Sequence, residues 1–109
     1  MITLNDFKKV EIRVATIIEV NDFTEAKNPS YKLKIDFGKF GIKKSSAQIT
    51  RLCKEEDLLN KQIIAITNFK PKQIANFISE CLVLGVILKN KEVVLLQPEG
   101  NITNGYKVA

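Results

Sequence analysis

Histidine is absent from all 109 residues. That absence excludes a thiol–imidazole nucleophile and the usual Cys/His zinc sites. Only two cysteines occur, Cys53 and Cys81, each beside apolar residues and neither in a CxxC spacing. They read as reduced thiols of the core. There is no glycine-rich phosphate loop and no pair of carboxylates at helical spacing beside an apolar pocket. The acidic cluster Glu55, Glu56 and Asp57 reads as the solvated start of a short helix. No catalytic set, cofactor or metal is expected. No apolar run approaches the roughly 20 residues of a membrane helix, and the longest, 81–88, suits a buried strand. The opening MITLNDFKKV lacks the long apolar core, basic flank and small-residue cleavage site of an export signal. A cytoplasmic, non-enzymatic protein without membrane insertion is the expectation.

Acidic residues are the minority charge, 12 against 17 basic ones, for a net charge of +5. The imbalance favours an anionic partner. Lysine supplies most of the cations and arginine only Arg13 and Arg51. Their placement therefore carries more information than their number. An apolar share of 45% over 109 residues fits one domain, 1–109, with a modest core.

Period-two patterning dominates. Val10, Ile12, Val14, Thr16, Ile18 and Val20 alternate with polar residues, with Ala15 and Ile17 as interruptions. After turn formers at 21–30, Leu33, Ile35 and Phe37 share one face of a strand over 31–37, with Lys32, Lys34 and Asp36 on the other. A third strand is expected over 42–49. Ile42 and Ile49 are an odd number apart, so they share a face only if a bulge intervenes. Segment 50–60 is the one convincing helix, its acidic residues near the positive end of the dipole and Asn60 just past its end. Apolar runs at 61–67 and 81–88 read as strands, and 92–96 as a hairpin partner of the latter. Five or six strands with a helix between the third and fourth predict a five-stranded Greek-key barrel of OB type, with a small sandwich or split barrel as rival.

Such barrels bind on strands 2 and 3, flanked by the loops between strands 1 and 2 and between strands 4 and 5. Lys32, Lys34, Lys43, Lys44, Arg51, Lys70 and Lys72 then provide phosphate-neutralising cations. Ser45, Ser46, Gln48, Asn68 and Gln73 offer donors and acceptors for base edges or ribose hydroxyls. Phe69 and Phe77 are either stacking platforms or plugs for the barrel end. Lys32 and Lys34 alone would pass for the wet face of an amphipathic strand. Pro71 stiffens the basic turn Lys70-Pro71-Lys72, which lowers the entropy lost on binding.

Four blocks, EIRVATIIEVNDF, YKLKIDFG, GIKKSSAQIT and NFKPKQIANFISECLVLG, followed by NITNGYKV, resemble in order the tRNA-binding domain family. Within it they resemble the stand-alone CsaA branch. The resemblance implies an OB fold, homodimers formed by segments flanking the barrel, and tRNA as partner. It also implies an alternative, a chaperone of unfolded preproteins linked to export. Such a protein needs an exposed apolar groove, and Phe69, Ile74, Phe77 and Ile78 are the residues here that would line one beside the lysines. The family's first-strand motif falls on Ile12, Arg13 and Val14, and its loop motif on Asn68, Lys70 and Pro71. Ser79 matches its serine. The family's glycine–methionine pair is replaced by Cys81 and Leu82, and its loop glycine by Asn76.

Overall fold

The structure, a computed structural model, describes residues 1–49 and 54–109. Arg51 and Cys53 lie outside the described residues. The chain forms a nearly closed antiparallel barrel, with β1 (Ile12–Asp22), β2 (Tyr31–Asp36), β3 (Ile42–Ala47), β4 (Gln62–Ile66) and β7 (Leu82–Val83) in the order β3-β2-β1-β4-β7. Two hairpins accompany it: β5 (Lys72–Ile74) with β6 (Phe77–Ser79), and β8 (Gly85–Ile87) with β9 (Val93–Leu95). The short helix α2 (Glu55–Leu58) lies between β3 and β4 and sends Leu58 into the core. Asn60 follows it in the left-handed region at φ 66°, as a residue just past a helix end does. No helix among the described residues is long and apolar enough to cross a membrane.

Inside the barrel pack Ala15, Ile17, Leu33, Ile35, Phe37, Ile63 and Ala65, all essentially inaccessible. The faces expected for β2 are those observed. In β1 the expected phase is reversed at first: Ala15 and Ile17 point inward, and Ile18 is exposed. The reason is a bulge. Ile17 pairs with Ile35 but Glu19 pairs with Lys34, so Ile18 is an extra residue and the inward series resumes at Val20. Val14 is buried on the outer side, because the C-terminal segment runs along it. Its N–H donates to the Tyr106 carbonyl at 3.0 Å, and the Gly105 N–H donates to the Val14 carbonyl at 2.7 Å.

Two other expectations are corrected, and the one drawn from the odd spacing of Ile42 and Ile49 holds. Segment 81–88 is two strands in different sheets, because the chain leaves the barrel after Val83 and Gly85 opens a hairpin. A Cβ on Gly85 would lie 2.4 Å from a Val93 methyl, so only glycine allows that approach. Ile42 and Ile49 do not share a face: Ile42 is exposed, and Ile49, beyond the end of β3, is buried. An unanticipated helix, α1 (Leu4–Lys8), begins at a capping box in which Thr3 and Asp6 bond each other's backbone N–H. It buries no residue, so no hydrophobic period announced it.

Candidate nucleic-acid interface

The outer surface of β2 and β3 is built by register. Lys32 stands opposite Ser46 and Lys34 opposite Lys44, so these four side chains share one face. Lys43 is opposite Ile35, on the other side of the same pleat. The structure thus separates Lys43 from the basic face, as adjacent residues of a strand must be.

Beneath the lysines lies an aromatic pair. Phe23, from the loop after β1, and Phe77, from β6, have ring centroids 5.3 Å apart in a tilted arrangement. The Lys32 ammonium sits 5.1 Å from the Phe23 ring, and the Lys44 ammonium 5.4 Å from that of Phe77. Such contacts orient the cations and keep the rings dry. Phe77 is only 9% exposed, so it is a floor and not a stacking or peptide-lining ring; Phe69 is 55% exposed. Both strand lysines also carry weak ion pairs, Lys32 with Glu25 at 3.5 Å and Lys34 with Glu19 at 3.6 Å. The Glu25 carboxyl is held below its ordinary range, first by the Thr24 hydroxyl and also by Lys32.

A groove of about 500 Å³ opens beside this face, between the 23–30 loop, the end of β3 and the β5–β6 hairpin. Ser46, Gln48, Lys72, Gln73, Ile74 and Ser79 line it, six residues singled out from the sequence. Sequence reasoning assigned the 21–30 loop to the interface without choosing its residues, and Phe23, Lys27, Asn28 and Ser30 join the lining. Lys27-Asn28 ahead of the second strand was the available signal. No acidic side chain lines the groove among the described residues.

The hairpin wall is fastened by side chains. The Lys44 N–H donates to the Glu80 carboxylate at 2.9 Å and the Glu80 N–H returns to the Lys44 carbonyl at 2.7 Å. The Ser46 N–H donates to the Ser79 hydroxyl, which donates in turn to the Cys81 carbonyl. Buried Ser45 donates to that carbonyl too, at 3.0 Å. Burial pushes the Cys81 thiol up to about 12, so it stays protonated and inert at neutral pH.

Segment 68–80 is therefore more than a loop. Asn68 does not reach the groove: its carboxamide accepts from the Glu11 N–H at 2.9 Å and donates to the Lys9 carbonyl at 2.6 Å, tying the N-terminal segment to the end of β4. Phe69 and Lys70 are exposed on the approach to the hairpin, outside the groove lining. Ile78 is exposed across from Gln73.

Comparison with known proteins agrees with the fold. A CsaA chaperone protein from Picrophilus torridus is 59% identical, with a TM-score of 0.94 and full coverage (100%) of both chains. Chaperone CsaA from Bacillus anthracis str. Ames is 45% identical with a TM-score of 0.96, over 100% of this chain and 99% of that one. The methionine–tRNA ligase of Pyrococcus horikoshii is 34% identical over 107 residues, covering 98% of this chain but 14% of the ligase. The chain thus spans about one seventh of the ligase's length. The sequence profile of the tRNA binding domain family matches residues 12–107, and the chain belongs to that family.

Proposed function

We propose that this protein is a non-catalytic tRNA-binding module that grips the RNA backbone and shape with the β2–β3 face and its groove. The carrying observation is the groove itself: Lys27 and Lys72 on opposing walls, amides and hydroxyls between them, and no carboxylate in the lining. Lys32, Lys34 and Lys44 on the face join Lys27 and Lys72 in the groove as partners for successive phosphates, so recognition rests on phosphates and form more than on sequence. The cytoplasm is the compartment this partner implies.

The module works as a homodimer in this reading. The β8–β9 hairpin exposes Val86, Ile87, Leu88, Val94 and Leu96, and the N-terminal segment exposes Met1, Ile2 and Leu4. Apolar surface of that extent on a small domain fits a second copy. Two faces related by a two-fold axis then hold one structured RNA more tightly than either alone.

Filter binding of total tRNA across a salt series tests the reading. A log–log slope of several units is expected, together with a loss of about tenfold or more in affinity for Lys70→Glu/Lys72→Glu at unchanged stability. A flat salt response, or full affinity in that variant, rejects it. A chaperone reading has one observation in its favour: Phe69, Ile78 and Leu82 are exposed along the hairpin and β7, beside the lysines. An unfolded preprotein that displaces tRNA, and whose own binding survives high salt but falls in Phe69→Ser, would favour that reading.

A further inference from the structure

We infer that the barrel carries a second ligand site, for a nucleoside phosphate, where the 38–40 turn meets the 103–107 segment. A cavity of about 380 Å³ lies there, within the range of small-ligand pockets. Three cations line it, Arg13, Lys39 and Lys107, with no carboxylate in the lining among the described residues. Two rings, Phe40 and Tyr106, complete its walls, and Tyr106 is 64% exposed.

The architecture is fixed before any ligand arrives. The Arg13 guanidinium lies 3.9 Å above the Phe40 ring, and its Nη1 donates to the Gly105 carbonyl at 2.9 Å. The Arg13 side chain is only 15% exposed and its Nη2 lies 3.7 Å from the Glu11 carboxylate, so Arg13 is a fixed support whose charge is partly balanced. Lys39 and Lys107 carry the pocket's net positive charge. Gly38 and Gly105 both have positive φ, 66° and 98°. A Cβ on Gly38 would sit 2.6 Å from the Asn104 carbonyl oxygen, and one on Gly105 2.7 Å from that of Phe37. Only glycines let the turn and the C-terminal segment close on each other. The Asn104 carboxamide accepts from Thr16 at 2.8 Å and from Gln62 at 3.0 Å, which pins that segment to the barrel.

Exposed rings next to lysine ammonium groups suit a planar base joined to a phosphate. A carboxylate peptide would satisfy the cations and leave the rings unused. The base stacks on Tyr106 against the Phe40 edge of the cavity, and Lys39 and Lys107 take the phosphate. The site shares with the tRNA reading only its ligand class. That phosphate can belong to the end of an RNA strand or to a free nucleotide.

Amide NMR titration of the full chain separates these cases. The probes are AMP, a short single-stranded oligoribonucleotide with a 5′-phosphate, and total tRNA. Saturable shifts are expected at Lys39, Phe40, Gly105, Tyr106 and Lys107, with affinity falling about tenfold in Lys39→Glu/Lys107→Glu. The spectrum of that variant reports its own fold. Shifts with AMP assign a free nucleotide, and shifts with the oligonucleotide alone assign an RNA end. No movement at these amides with either probe overturns the second site. If tRNA still moves the groove amides of Ser46 and Lys72, the tRNA reading survives that failure; if it does not, that reading fails separately.

Discussion

The groove and the opposite pocket use the same materials in inverted order. At the groove two rings, Phe23 and Phe77, are buried and the lysines ride above them. At the other pocket the cation, Arg13, is packed underneath and the rings of Phe40 and Tyr106 remain open to solvent. The upper layer is the one a ligand meets. The β2–β3 face beside the groove therefore presents ammonium point charges, suited to a backbone of phosphates. The pocket presents flat surfaces over a fixed charge, suited to a base.

Aromatic truncation should break the symmetry most. Phe77→Ala is expected to cost about 3–5 kcal/mol, because a buried ring leaves a cavity between Phe23 and β3. Phe40→Ala, at a half-open ring, should cost about 1–2 kcal/mol. Urea denaturation of both variants measures the gap, and equal losses would remove the distinction between floor and wall.

The next effect is alkaline. Below pH 9 the Cys81 thiol is protonated in both folded and unfolded chains and adds no pH dependence. Between the ordinary 9.0 and the folded value of about 12, the unfolded chain releases the proton and the folded one retains it. Stability must then fall as pH rises, by about 1.4 kcal/mol per unit. Cys81→Ala should flatten the fall of the urea midpoint between pH 9 and 10.5 relative to wild type. Parallel profiles would mean that the thiol is not sealed.

The smallest effect concerns the ion pairs over the groove. Glu25 is exposed and lies 3.5 Å from the Lys32 ammonium, where a phosphate would compete with it. Glu25→Gln should tighten tRNA binding about two- to threefold at low salt, and the gain should vanish at high salt. A loss of affinity would show instead that Glu25 holds the loop in its binding shape.

What could be read from the sequence was what neighbouring residues encode. Leu33, Ile35 and Phe37 against Lys32 and Lys34 gave β2 its two faces, and the positions of the turns gave the barrel order. The phase of β1 was hidden because the bulge at Ile18 and the cover over Val14 both depend on distant partners. Phe77 reads from the sequence as either a platform or a plug, because Phe23, which packs against it and decides for the plug, comes from another loop. Asn68 looked like a ligand-binding amide until its two backbone partners appeared. Hairpin β5–β6 was masked by Pro71 and by a turn in which Ala75, not glycine, takes positive φ.

The pairing of 105–108 with 12–14 also sets an order of events during synthesis. The Val108 N–H reaches the Ile12 carbonyl at 2.8 Å, joining the first barrel strand to residues made almost a whole chain later. A ribosome-bound chain can assemble β1, β2 and β3 early, since their contacts are local. Val14 must wait, its outer side bare, until Gly105 and Tyr106 leave the exit tunnel. The pocket around Arg13 thus forms only after the strands that flank it.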